Sequence, residues 1–178
     1  PIGGHPYKFE FHLLKDSQTV NAFALPGGQI FMTKALWDML GNENGRAGVL
    51  GHEIGHVLAR HSAEPMAIAM RNQGISTAAG ALMAGESGDP RMVTGMVNQV
   101  LTTRHGRDDE YQADELGVKI MIAAGYEPEG LIEVMDVLQK SAGGARGPEF
   151  LSTHPFPENR KQRLKMLIEA YRAKSRGH

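Results

Sequence analysis

The sequence has 178 residues and no cysteine. That absence excludes disulfides, thiolate metal sites and a cysteine nucleophile, so any metal must be held by His, Asp or Glu. Aromatic residues are scarce at 6%, and charge of either sign is not in excess: 19 Lys and Arg stand against 20 Asp and Glu, for a formal net charge of −1. That balance argues against nucleic acid or an anionic membrane as partner. Long hydrophobic runs are missing too. The most apolar stretch, "GISTAAGALMAG" from Gly74 to Gly85, is too short and too glycine-rich to span a bilayer. The opening "PIGGHPYKFEF" has neither an initiator Met nor an apolar signal core, so a processed or excised piece is expected, one that lacks an N-terminal helix ahead of the first strand. What remains is 41% hydrophobic and 22% charged, the composition of a globular chain, and its length fits one domain over residues 1–178.

Period-2 alternation marks the N-terminal part. In "YKFEFHLL", Tyr7, Phe9, Phe11 and Leu13 alternate with polar residues, as in a half-buried strand. "TVNAFAL" and "QIFMT" follow as strands around the turn residues "PGG", which predicts a small antiparallel sheet over about 7–32. From Thr33 onward the pattern is helical. "TKALWDML" starts at a Thr cap. A long helix is expected from about Arg46 to Arg71, kinked or ended by Pro65. Residues 74–106 predict one or two helices around a mobile loop that could form a lid, and the methionines at 66, 70, 83, 92 and 96 are expected to fill core. Helices stopping at Gly125 and starting near Pro128 come next, then a loop "GGARGPEFLSTHPFPENR", then a basic amphipathic helix. The fold class is α+β, mainly helical, with strands first and helices after.

The chemistry is concentrated in "GHEIGHVLARH", Gly51 to His61. His52 and His56 are one helical turn apart on one face, which suits two imidazoles on one zinc ion. Glu53 sits about 100° round the helix, out of reach of the metal but within reach of its water. This is the H-E-x-x-H arrangement, with Glu53 as general base. Gly51 and Gly55 flank the ligands on a helix that should otherwise avoid glycine, and would let another element approach closely. On a continuous helix His61 falls about 180° from His52, which makes it structural or surface-exposed rather than a ligand.

A catalytic zinc needs a third protein ligand. His105, His154 and several carboxylates are candidates. In "DDEYQADELG", Glu110 and Asp114 share a helix face with Ala113, Gly117, Ile120, Met121 and Ala124, and carboxylates on an apolar face must be compensated. Glu110 is therefore assigned as third ligand, with Asp114 one turn on to accept the free N–H of a ligand histidine. Ala113 and Gly117 are small enough to meet Gly51 and Gly55.

"HEIGH", then "EYQAD", then "THPFPENR" together resemble the zinc metallopeptidase family of the CAAX prenyl endopeptidase. The resemblance is nearest to its soluble BepA-like periplasmic members, extends to mitochondrial Oma-type proteases, and covers nearly the whole chain from "NAFALPGGQIFMTKAL" onward. It implies a zincin-like fold with one zinc on His52, His56 and Glu110. It also implies catalytic roles for Glu53, His154 and Arg160, His154 lying over the metal, where it holds BepA-like members latent, and Arg160 helping to stabilise the oxyanion. An extended substrate would add beside the strand at Asn21, Ala22, Phe23 and Ala24. The implied function is a zinc metalloendopeptidase that hydrolyses unfolded or misassembled envelope polypeptides by metal-activated water. A bacterial periplasmic or envelope location and outer-membrane assembly machinery as partner go with it. The chain has neither the repeat domain of BepA-like proteins nor the membrane spans of the prenyl endopeptidases, so prenylated substrates are not expected. The rival reading is a chaperone or assembly factor whose zinc site is capped by His154. A purely structural metal would leave Glu53 without a purpose.

Overall fold

The structure, a computed structural model, describes residues 5–72, 90–143, 147–155 and 159–176. Strands β1 (Glu10–Leu14), β2 (Ala22–Ala24) and β3 (Gln29–Thr33) come first. Eight described helices follow: α1 (Lys34–Met39), α2 (Glu43–Leu58), α3 (Ala63–Asn72), α4 (Pro90–Thr102), α5 (Arg107–Ala123), α6 (Gly130–Ser141), α7 (Phe150–Thr153) and α8 (Arg160–Arg176). This is the mainly helical α+β class expected. No described helix is long and apolar enough to cross a membrane.

The sheet differs from expectation in one respect. Its order is β1-β3-β2, with β2 antiparallel to β3 but β1 parallel to it. It is therefore mixed rather than antiparallel, because β3 inserts between the two earlier strands. The β2–β3 turn closes through Gly28, whose φ of +98° is cheap only for glycine. β1 is also less buried than its alternation suggests: Phe11 and Leu13 are 55% and 54% exposed. Helix α2 packs against β2 and β3, and Tyr7 and Phe9, which precede β1, join Leu50 and Ile54 against the Ala24, Ile30 and Val57 cluster.

Thr33 accepts the Leu36 N–H and starts α1, and Asn42 does the same for Gly45 at the start of α2. Helix α2 does not run on to Pro65. The Arg60 N–H donates to Val57 and the His61 N–H to His56, and Arg60 sits at φ 62°. That is the left-handed closure that glycine usually supplies, here carried by arginine. Pro65 lies instead in the first turn of α3, where a missing N–H costs nothing. Met66 is buried as expected; the side chains of the methionines at 70, 83, 92 and 96, and the segment 73–89, lie outside the described residues. The expected loop before α8 contains the short helix α7. On α8, Leu164 and Ile168 enter the core beside Val118, Met121, Leu131 and Met135.

Helices α2 and α5 meet almost backbone to backbone. A Cβ placed on Gly55 would lie 2.6 Å from the Ala113 carbonyl oxygen and 3.0 Å from its Cα; one on Gly51 would lie 3.3 Å from the Gly117 oxygen. Backbone cannot yield as a side-chain tip can, so Gly55→Ala forces the helices apart. It should destabilise the protein by about 1–3 kcal/mol, read from urea unfolding midpoints, whereas Gly41→Ala, with nothing within 4 Å, should leave the midpoint unchanged. Equal midpoints for the two variants would contradict the packing argument.

Candidate metal centre

The close approach of α2 and α5 sets His52 and His56 against Glu110, and the end of α7 adds His154. One ligand atom from each of these four residues lies within 4.8 Å of the others, and all four residues are at most 2% exposed. His52 Nε2 and His56 Nε2 are 3.0 Å apart. His56 Nε2 is 3.3 Å from Glu110 Oε1, and His52 Nε2 is 3.6 Å from Glu110 Oε2. Nitrogen and oxygen ligands at about 2.0–2.1 Å from a tetrahedral cation would sit about 3.3 Å apart, so these separations fit. The hydrogen bonding agrees: Glu110 Oε1 and His154 Nε2 are buried with no hydrogen-bond partner, a cost that a cation between them removes.

The supporting contacts set the tautomers. The His52 Nδ1–H donates to Asp114 Oδ1 at 3.0 Å, which leaves Nε2 free for metal. His154 Nδ1 lies 3.3 Å from the Phe150 carbonyl and 2.9 Å from Thr153 Oγ1, with the same result. Arg160, from the first turn of α8, donates through Nε to Asp114 Oδ2 at 2.6 Å and through a terminal nitrogen to Asp114 Oδ1 at 2.8 Å; its other terminal nitrogen binds Glu110 Oε2. Burial would raise Asp114, but the charge and hydrogen bonds of Arg160, with help from His52, bring it below the usual carboxylate range.

Glu53 is 1% exposed. Its Oε1 has no hydrogen-bond partner and lies 3.5 Å from His154 Nε2. Burial raises its carboxyl to about 8, against the opposing charge of Arg160. Glu110 is likewise raised to about 8 by burial despite Arg160. Burial lowers His52, His56 and His154, which keeps these imidazoles neutral and able to ligate.

One histidine departs from the sequence reading. His61 does not face away: the break at Arg60 turns it back, so that its Nδ1 lies 2.9 Å from His56 Nδ1, and its side chain is only 6% exposed. The helical-wheel placement failed because the helix stops at Leu58. His105, a candidate third ligand, is buried with its ring 4.0 Å from that of His56, but it is outside the converging set. Burial lowers it to about 4.

The expected edge strand borders the same cleft. Asn21, Phe23 and Ala24 line it with Glu53, His56 and His154, opposite Val100 and Leu101 of α4. Asn21, Ala22 and Ala24 are buried, and Asn21 Oδ1 has no hydrogen-bond partner. Asn21 pairs with Thr33 and Leu25 with Gln29, so by the antiparallel repeat the Ala22 and Ala24 amides point to the free edge.

Comparison with known proteins agrees with this geometry. The sequence model of Peptidase family M48 matches residues 2–168. The chain is 30% identical over 160 residues to a protein of Escherichia coli O157:H7 named Beta-barrel assembly-enhancing protease, covering 85% of this chain and 33% of that protein. It is 32% identical over 163 residues to Mitochondrial metalloendopeptidase OMA1 of Saccharomyces cerevisiae, covering 88% and 46%. It is 30% identical over 174 residues to Metalloprotease YcaL of Escherichia coli K12, covering 94% and 64%. The chain thus spans between a third and two thirds of the length of these relatives.

Two measurements test the electrostatics. Glu53 and Glu110 keep protons to about pH 8 when folded, against a reference near 4.5, so across that window the native state binds more protons and rising pH destabilises it. The depressed histidines oppose this only below their reference of 6.5. Metal-stripped protein should therefore lose stability from pH 6.5 to 8 in urea unfolding with chelator present, and Glu110→Gln should flatten the decline; a flat or rising wild-type profile would contradict it. Arg160→Met leaves the ionised Asp114 buried without its cation and should cost about 3–5 kcal/mol in the metal-stripped protein, and a loss under 1 kcal/mol would show that the pair is not held as described.

Proposed function

The chain belongs to Peptidase family M48, and from that premise we propose that it is a zinc-dependent endopeptidase acting on unfolded or misassembled polypeptides of the bacterial cell envelope. The observation that carries the reading is the convergence of His52, His56, Glu110 and His154 on one point, with the carboxylate of Glu53 beside it and without a hydrogen-bond partner. Bound zinc would polarise the scissile carbonyl and lower the pKa of water. Residues 1–178 form one peptidase domain in this reading.

Glu53 receives the proton of the attacking water and returns it to the leaving amine. Burial raises its carboxyl in the metal-free chain, and a dication beside it would draw it back down, toward the ionised form that a base needs. Asp114 orients His52, and Arg160 holds Asp114 and Glu110 in place. Its guanidinium bonds both carboxylates and lies 3.3 Å from the His52 ring nitrogens, which supports a positioning role for Arg160 beside the oxyanion role the resemblance implies. The outward amides of Ala22 and Ala24 receive the substrate backbone as an added strand, which favours extended chains over folded ones. The envelope location and a link to outer-membrane assembly machinery rest on the relative named Beta-barrel assembly-enhancing protease.

His154 supports a second reading. Its Nε2 belongs to the converging set, so with metal present it would complete a four-ligand shell and close the position that water needs. The chain would then be a latent peptidase, or an assembly factor in which cleavage is secondary. Zinc content and cleavage of an unfolded protein separate these. Glu53→Gln should retain about one zinc per chain and lose about 10²-fold or more of the cleavage rate. His154→Ala should raise cleavage several-fold if His154 holds the site latent. Equal cleavage by wild type and Glu53→Gln would end the peptidase reading.

A further inference from the structure

His61 lies outside the metal set, yet its position is built with care. Helix α2 ends at Leu58, two residues after His56, and Arg60 adopts φ 62°, a conformation that costs a residue with a Cβ about 1 kcal/mol or more. The turn swings the His61 ring against His56, with centroids 4.9 Å apart at 73°. On its other side His61 Nε2 lies 3.1 Å from Gln112 Oε1 and 3.7 Å from Asp109 Oδ1. Asp109 is itself fixed by the Gly106 N–H at 3.0 Å.

We propose that His61 and Gln112 are positioning residues that fix the tautomer of His56 for metal binding. Both groups at His61 Nε2 are acceptors, so Nε2 carries the hydrogen and Nδ1 is left with a lone pair. His56 Nδ1, 2.9 Å away, must then be the donor. That leaves His56 Nε2 bare, and Nε2 is the atom 3.3 Å from Glu110 Oε1 and 3.0 Å from His52 Nε2. Gln112 lies two residues past Glu110 on α5, so the helix that supplies the third ligand also orients the second one. The arrangement parallels the Asp114 contact at His52, but with a neutral acceptor.

The inference rests on His56 being a ligand, and the test separates the two. Zinc affinity is measured by competition with a chromogenic chelator for wild type, His61→Leu, His61→Asn, Gln112→Leu and His56→Ala, with far-UV circular dichroism and thermal midpoints of the metal-stripped forms as a fold check. His61→Leu should bind zinc about 10–100-fold more weakly, the usual cost of losing such a partner. His61→Asn, which keeps an oxygen near the Nδ1 position, should recover most of that loss, and Gln112→Leu should weaken binding several-fold. Long-range ¹H–¹⁵N spectra of zinc-loaded wild type should show His61 as the Nε2–H tautomer and an exchange-protected His56 Nδ1–H. If His56→Ala binds zinc as well as wild type, the metal-site reading fails and this inference with it. If only His56→Ala is impaired, or if His61 carries its proton on Nδ1, the inference alone fails. Should His61→Leu not fold, the wild-type tautomer and Gln112→Leu decide.

Discussion

The structure depends on how closely two helix backbones can approach. Gly51 faces Gly117, Gly55 faces Ala113, and Gly48 faces the start of α6 at Gly130 and Leu131. Each interior glycine costs α2 about 1 kcal/mol of intrinsic helix stability relative to alanine, so α2 has little reason to form alone and draws its stability from what packs on it. That packing fixes the chemistry. With His52 and His56 one turn apart on α2 and Glu110 and Asp114 one turn apart on α5, a single close crossing brings Glu110 to the two imidazoles and Asp114 to His52 Nδ1. Wider separation would leave all four groups buried and unmatched.

Burial of this cluster also explains why the site is electrostatically tense. Glu53 and Glu110 are pushed up to about 8 and the histidines down, because desolvation penalises each charged form. Arg160 offsets part of that for Asp114 and Glu110 by charge and hydrogen bonds, and for Glu53 by charge alone; Glu53 Oε1 makes no hydrogen bond. A dication at the convergence point would satisfy Glu110 Oε1 and His154 Nε2 together. Metal binding is thereby coupled to the stability of the α2–α5 crossing and not only to catalysis.

The convergence of His52 and His56 was legible because their spacing is short-range: four residues apart on one helix needs no knowledge of the fold. Glu110 and Asp114 were legible for a related reason, as acids on the small-residue face of a helix. Arg160 and His154 came from resemblance alone, since nothing local in "THPFPENR" says that its arginine reaches a carboxylate 46 residues away. The β1 pairing was missed because alternation fixes which face a residue takes but not which neighbour a strand pairs with. His61 was misplaced by a single break: arginine, not glycine, stands at the left-handed position, so the usual stop signal was absent.

The partners of the three histidines differ in charge, and the difference has a consequence. His52 donates to an ionised carboxylate that Arg160 already neutralises, and His154 to a backbone carbonyl and a hydroxyl. His56 faces the imidazole of His61, with the two Nδ1 atoms 2.9 Å apart. An acid at position 61 would orient His56 as well, but it would add a negative charge with no buried cation beside it. It would also face Asp109, whose Oδ1 lies 3.7 Å from His61 Nε2, so two like charges would repel across that contact. An imidazole at position 61 offers His56 an acceptor and meets Asp109 without that repulsion.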